Sequence, residues 1–547
     1  MFFRQKKAGG HVYLQIVENR WENGRARQRV LATLGRLDHL ADSGELAALL
    51  ESGARFAQSV TILSEHRRGE LAAVQSRRIG APLLFERLWQ ETGCAEVLAA
   101  HLSQRQFTFA VERTIFLEVL HRLVSPGSDR AGYAWKQGYG IAGVDQLDLH
   151  HAYRAMAWLG EPTGEPGTGT SGVRTIKDLI EEDLFARRRD LFSSLELVFF
   201  DTTSLYFEGA GGERLGQHGH SKDHRPDLRQ MVVGVVLDQE GWPICCELWP
   251  GNTTDVKTLL PVVERLGRRF GIQRVCIVAD RGMIQAATLR SLDAQGWPYI
   301  LGARMRSRKE VREQVLADRG RFEVVFSQRS TAKDPSPLKV KEVWVEDRRY
   351  IVCHNEEQAR KDAADRQAIL TALEDRLHQG SKALVGNRGF RRYLKVAGEG
   401  FQLDPQRVES EARYDGKWVL TTNTDYSPAE VALAYKQLWM VEDLFRSMKS
   451  LLATRPIYHR CDETIRGHVF CSFLALQLRT ELENRLAAQG HVAVEWADII
   501  RDLDRLEEVE LEKDGKRLLL RTEAPGVTGK VFQAVGVALP PTVRQVA

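Results

Sequence analysis

Residues 195–208 read LELVFFDTTSLYFE, and this stretch opens the part of the chain whose pattern sets the fold. Leu195–Phe200 is a short apolar run, strand-like in length and in its aromatic and β-branched content, and it closes on an acid, Asp201. The same pattern continues downstream. Met231–Leu237 and Ile244–Leu248 flank the turn Asp238–Pro243 and predict a hairpin, and Asp255–Phe270 has helical spacing. Val275–Ala279 is a second compact strand closing on an acid, Asp280; a helix over Ile284–Gln295 and a strand over Tyr299–Gly302 follow. Strands and helices in this order predict an α/β core, a mixed sheet with helices packed on it.

The two acids carry the first chemical hint. A carboxylate at the end of a buried strand is costly unless a cation or hydrogen bonds satisfy it. If the two strands are neighbours, Asp201 and Asp280 are placed to hold divalent metal, the arrangement that aligns an attacking oxygen on phosphorus. The competing reading, a turn former or helix cap, stands for either acid alone. A third acid lies far along the chain. Ser427-Pro428 with Glu430 marks a helix start. Val431, Ala434, Leu438, Val441, Phe445, Met448 and Leu452 then recur as one apolar stripe. Tyr435, Glu442 and Lys449, spaced by seven, form a line along the stripe's edge. A carboxylate flanked by a Tyr and a Lys suits a phosphodiester strand laid along the helix; an ordinary amphipathic helix is the alternative.

DTTSLYFE from Asp201, VADRGM around Asp280 and YKQLWMVEDLFRSMK from Tyr435 together resemble the DDE transposases of bacterial insertion sequences. More narrowly they are similar to the insertion-sequence-four superfamily, with its ribonuclease-H-like core and its signature Y-x2-R-x3-E-x6-K. Tyr435, Glu442 and Lys449 fall at the signature positions, while Leu438 stands where the Arg belongs; Arg446, one turn past Glu442, is the candidate replacement cation. The resemblance implies that Asp201, Asp280 and Glu442 bind two Mg²⁺ ions, with Mn²⁺ able to substitute. It implies nicking of DNA at the transposon's terminal inverted repeats and transfer of the freed 3′-hydroxyl to target DNA, by a homodimer in the synaptic complex. It also implies an aromatic residue in a β-rich insertion that holds a flipped base, for which Trp344 and Trp297 are candidates.

Domain boundaries follow from composition and pattern. Residues 1–75 form a basic N-terminal region: its first 40 residues carry eight Lys or Arg against three acids, with a strand over His11–Val17 and a hairpin turn at Asn23-Gly24. Residues 76–172 are a helical domain ending in the Gly-rich linker 160–172. Residues 173–303 and 417–490 are the two parts of the core, split by the β-rich insertion 304–416; residues 491–547 form a C-terminal region.

DNA contacts are expected from Tyr435, Lys449 and Arg446, and from Lys222 and Arg225 in the loop HGHSKDHRPD (218–227). Arg388, Arg391 and Arg392 in SKALVGNRGFRRYLKV (381–396) add a basic patch interleaved with aromatics. His-x-His spacing in the first loop also fits zinc, though no Cys lies near.

Composition bounds the rest. The 547 residues are 43% hydrophobic and 27% charged, as in ordinary soluble globular chains, with a net charge of only +4, so local clusters must carry any case for a polyanion partner. Seven cysteines without C-x-x-C spacing argue against a disulfide framework or zinc ribbon and suit a reducing cytoplasm, and the resemblance to transposases implies association with the nucleoid. The start lacks a signal-peptide core, and the longest apolar runs are too short to span a membrane. A GxxxxGK[ST] phosphate loop and a G-x-S-x-G elbow are both missing, which disfavours ATP use and Ser hydrolase chemistry. Two alternatives remain beside transposition: a stand-alone metal-dependent DNA nuclease and an inactive DNA-binding derivative.

Overall fold

The computed structural model describes residues 2–22, 25–46, 72–103, 105–164, 174–189, 195–272, 275–327, 334–379, 392–397, 400–513 and 516–546. The chain divides into two compact units. The first comprises residues 1–77, 506–523 and 540–547. It opens with an antiparallel meander of β1 (Phe2–Ala8), β2 (His11–Glu22) and β3 (Arg25–Arg36), followed by the short helix α1 (Leu37–Asp42). Here the strand read at His11–Val17 continues to Glu22; the expected turn at Asn23-Gly24 lies outside the described residues. A second sheet in this unit joins β4 (Ala72–Arg78) to three C-terminal strands, Glu507–Lys513, Lys516–Arg521 and Val543–Val546.

The second unit begins with helices: α2 (Gly80–Glu91), α3 (Cys94–Leu102), α4 (Val111–Val124), α5 (Asp129–Trp135), α6 (Leu149–Leu159) and α7 (Ile176–Arg188). Of the Gly-rich linker, residues 165–173 lie outside the described residues. The core strands are β5 (Leu197–Tyr206), β6 (Gln230–Asp238), β7 (Pro243–Pro250), β8 (Cys276–Ala279) and β9 (Tyr299–Ala303). Between them lie α8 (Leu259–Phe270) and α9 (Ala286–Ala294). The insertion contributes β10 (Glu323–Phe326), β11 (Leu338–Val345), β12 (Arg348–His354), the 24-residue α10 (Glu356–Gln379), the hairpin β13 (Leu394–Ala397) and β14 (Gly400–Leu403), and α11 (Pro405–Ala412). It is therefore helical as well as β, and β10–β12 extend the core sheet instead of forming a separate one. With β15 (Lys417–Thr422) the sheet has nine strands in the order β10-β11-β12-β15-β9-β8-β5-β6-β7. Only the β5–β8 and β8–β9 pairs are parallel.

One face of the sheet packs Val198, Phe200, Val236, Ile277, Ala279 and Leu301 against α8 and α9. The other face receives α12 (Pro428–Lys436), α13 (Trp439–Arg446) and α14 (Asp462–Ala488). In α14, buried residues occur all round the axis, because it packs against α4 and α6 as well as the sheet. Next to the sheet, Arg269 of α8 bonds Glu181 and Glu182 of α7 at 2.8 and 2.7 Å and Glu247 of β7 at 3.1 Å, and Lys177 and Arg265 also pair with Glu181 and Glu247, so these acids find their cations within the fold.

The start of α12 matches its sequence signature. Ser427 Oγ accepts from the Glu430 amide, and the Glu430 carboxylate accepts from the Ser427 amide at 2.7 Å. The apolar stripe from Val431 to Leu452 is buried throughout. The single helix read from that stripe is, however, broken. The amides of residues 437, 438, 440 and 441 bond three residues back, which tightens the turn and starts a new helix, and Ser447–Leu451 then widens into a π turn. Tyr435, Glu442 and Lys449 thus sit on three successive segments rather than on one rigid line.

Candidate active site

In the parallel pair β5–β8, Phe200 lies opposite Ala279. One step further along the same register come Asp201 and Asp280, so their side chains share the sheet face that α12 and α13 cover. Asp201 does not end its strand, as its apolar run suggested. β5 continues through Thr202, Thr203 and Ser204 to Tyr206, because β6 pairs with it along that whole length. The Asp201 carboxylate accepts the Thr202 amide at 2.6 Å. Burial pushes its pKa up to about 6; Lys222 and the amide bond pull the other way, and the charges of Asp280 and Asp255 add to the rise.

Asp280 caps the 3₁₀ turn Arg281–Met283, accepting from the Gly282 amide, and its other oxygen accepts from the Tyr435 hydroxyl at 3.1 Å. Burial, with Asp280 next, drives the Tyr435 phenol well above its ordinary range, so it stays a donor. Gly302 makes this contact possible: a Cβ there would lie 2.5 Å from the Tyr435 hydroxyl.

Asp255, which the sequence reading took only as the first residue of a helix, is a third acid at this place. It lies in a 3₁₀ turn just ahead of α8, and its Oδ1 accepts from the Thr202 hydroxyl at 2.7 Å. A Cβ on Gly282 would meet Asp255 Oδ2 at 3.5 Å and Asp280 Oδ2 at 3.7 Å, so that glycine backs the space between the two carboxylates. Nothing local in the sequence separates Asp255 from an ordinary acid at a helix start.

Glu442 lies on α13, which packs on β5 and β6. Its side chain is exposed and makes no hydrogen bond or ion pair with any described residue. The structure therefore brings Asp201 and Asp280 together and leaves Glu442 on the adjoining helix; ligand atoms of the three are not all within 4.8 Å of one another.

The expected DNA-contacting residues are dispersed. Lys449 bonds Asp223 at 2.8 Å, and Arg455 approaches the same carboxylate at 3.2 Å. Lys222 turns inward to Thr202 and Asp255. Arg225 pairs with Asp227 and lies 5.5 Å from the Tyr206 ring centre. Arg446 is exposed and pairs with Asp443. Arg392 stands 3.8 Å from Glu411; Arg388 and Arg391 lie outside the described residues. Leu438 is buried, filling the place of the signature Arg with an apolar contact. Trp344 is exposed and Trp297 buried.

A cleft of about 370 Å³ opens beside Asp280, lined by Arg281, Gly282, Arg304, Met305, Arg306 and Ser307. Arg304 donates to the carbonyls of Arg281 and Gly282 at 3.1 and 2.9 Å, bracing the turn that carries Asp280. An acid pair flanked by arginines suits a phosphodiester together with its cations.

The donor set fits divalent metal: Asp201 and Asp280 are hard oxygen ligands side by side, and Asp201 is half-buried beside like charges that an added cation would relieve. Among the described residues, two other groups hold ligand atoms within 4.8 Å of one another, Asp129/His459/His468 and Asp148/His150/His151. His218, His220 and His224, the zinc alternative, fall in neither.

A family model described as the transposase DDE domain matches residues 193–478, and the chain belongs to that family. A second model, the N-terminal domain of IS1634 family transposases, matches residues 3–65, which marks a bacterial insertion-sequence DDE transposase. No curated protein matches the chain. The family implies transposition, DNA substrates and divalent metal use. No described helix is long and apolar enough to cross a membrane.

Proposed function

We propose that this transposase binds the terminal inverted repeats of its own insertion sequence, nicks them, and joins the freed 3′-hydroxyls to target DNA at a centre formed by Asp201, Asp280 and Glu442. The observation that carries the reading is the β5–β8 register, which sets Asp201 beside Asp280 under the helix that bears Glu442.

Asp201 and Asp280 would hold one cation between neighbouring strands. Glu442, exposed on α13, would supply the third carboxylate, for a second cation. Two Mg²⁺ ions, or Mn²⁺ in their place, would supply activation of the attacking oxygen and neutralisation of charge on the leaving one. The Tyr435 hydroxyl fixes the rotamer of Asp280, and the arginines of the adjoining cleft offset phosphate charge. Both steps are in-line attacks on phosphorus, so positioning supplies much of the rate. Joining two ends calls for two active sites, hence a homodimer in the synaptic complex.

The test is substitution of each acid. Asp201→Asn, Asp280→Asn and Glu442→Gln each lower Mg²⁺-dependent end cleavage by about a thousandfold or more, given several kcal/mol of lost charge stabilisation at 1.36 kcal/mol per tenfold. End binding survives. Retained cleavage in any one variant removes that residue from the centre, and cleavage without strand transfer in the unmutated protein points to a nuclease instead.

A further inference from the structure

Lys222 was expected on the DNA side of the loop 218–227, and the structure turns it the other way. Its amide donates to Ser204 Oγ at 2.9 Å, which pins the loop to β5. Its ammonium donates to the Thr202 carbonyl at 2.6 Å and to Thr202 Oγ1 at 3.0 Å, and stands 3.3 Å from Asp255 Oδ2. Two hydrogen bonds and one ion pair thus hold the ammonium at Thr202, the residue after Asp201. The neighbouring cations, Lys449 and Arg455, share Asp223. Of the three acids, Asp255 alone is paired with this ammonium; Asp201 and Asp280 form no ion pair with any described residue, although Arg281 and Arg304 stand at the cleft beside Asp280.

We propose that Lys222 is the resident countercharge of this carboxylate centre: tethered by Thr202 and Asp255, it holds the acids together while no metal is bound and sets how tightly divalent cations enter. This rests on the assignment of Asp201 and Asp280 as metal ligands. Lys222 is a positioning residue, acting through the carboxylates and not on the phosphodiester. Its charge opposes an incoming cation at close range in a partly buried site, where such repulsion is large.

The test is titration of the full-length protein with Mn²⁺ alone, without DNA, reading free Mn²⁺ by electron paramagnetic resonance. Lys222→Gln, which keeps a polar head but no charge, is expected to bind Mn²⁺ about tenfold or more tighter than the unmutated chain. Lys222→Arg restores the unmutated affinity. Equal or weaker binding by Lys222→Gln overturns the proposal while leaving the carboxylate centre in place. Mn²⁺ binding unchanged in Asp201→Asn overturns the centre itself, and the role of Lys222 with it. Where Lys222→Gln is too unstable without metal for titration, melting carries the same test. A larger Mn²⁺-induced rise in Tm than the unmutated chain shows supports the proposal, and an equal or smaller rise overturns it.

Discussion

Two groups of ligand-type side chains in the second unit, the Asp129 cluster and the proposed Asp201 centre, differ in how their charge closes. In the first, Asp129, His459 and His468 lie with ligand atoms within 4.8 Å of one another, but Arg122 sits among them. Its buried guanidinium donates to Glu118 at 2.7 Å, lies 3.0 Å from His468 Nδ1 and 3.5 Å from Asp129. Burial, then the charge of Asp129, pushes the Glu118 pKa up to about 7, and burial lowers that of His468 to about 3. One cation and one firmly ionised acid balance, and a divalent ion entering there would meet an arginine. In the second cluster, Lys222 pairs with Asp255, arginines line the open cleft beside Asp280, and Asp201 and Asp280 form no ion pair with any described residue. Closeness of ligand atoms is thus a weaker guide than carboxylates left without an ion pair, which is what the proposed centre offers.

The largest effect expected from this contrast lies in the first cluster. Arg122→Met leaves Glu118 and Asp129 buried without their cation and lowers stability by about 3–5 kcal/mol, the cost of breaking a buried pair from one side. Urea unfolding measures it. The rise in Tm on adding Mn²⁺ is expected to stay that of the unmutated protein if the metal enters at the proposed Asp201 centre. A lost Mn²⁺ response would make the two clusters one system and erase the contrast.

How much of this was legible depended on whether the signal was local. Asp201 and Asp280 stood out because each follows an apolar run that has to be a strand, and their neighbouring positions follow once β5 and β8 pair. The spacing of Tyr435, Glu442 and Lys449 was visible as a sevenfold step, but the 3₁₀ bonds near Leu438 that break the helix leave no mark in the apolar stripe. Lys222 read as a DNA contact because its loop is polar; its inward turn is set by Thr202 and Ser204, 18 to 20 residues away. Arg122 and His468 meet across 346 residues, and no spacing rule reaches that far.

The next effect is a pH dependence belonging to the second cluster. The Asp201 pKa is raised in the folded protein to about 6 from an ordinary 3.8. The folded state therefore holds the proton longer than the unfolded chain, and metal-free stability falls as pH rises from about 4 to about 6, then levels. The loss is about 3 kcal/mol at 1.36 kcal/mol per pH unit of displacement. Asp201→Asn flattens this part of the stability curve. Unfolding curves between pH 4 and 7 in a chelator check it; an unchanged slope in the variant assigns the titration to another group.

The smallest effect separates a DNA contact from a structural ion pair. Arg446 is exposed and pairs only with Asp443, three residues earlier on α13. Such a pair contributes about 0–1 kcal/mol, so Arg446→Ala barely moves the unfolding midpoint. If DNA runs along α13 past Glu442, the same variant weakens binding alike for all sequences and reduces the slope of log affinity against log salt by about one. Lys449 lies one turn further and is held by Asp223, which makes Arg446 the solvent-facing cation of that stretch. A salt slope unchanged in Arg446→Ala moves the backbone path off α13 and onto the arginines beside Asp280, and Glu442 would then have to reach the scissile phosphate from outside that path.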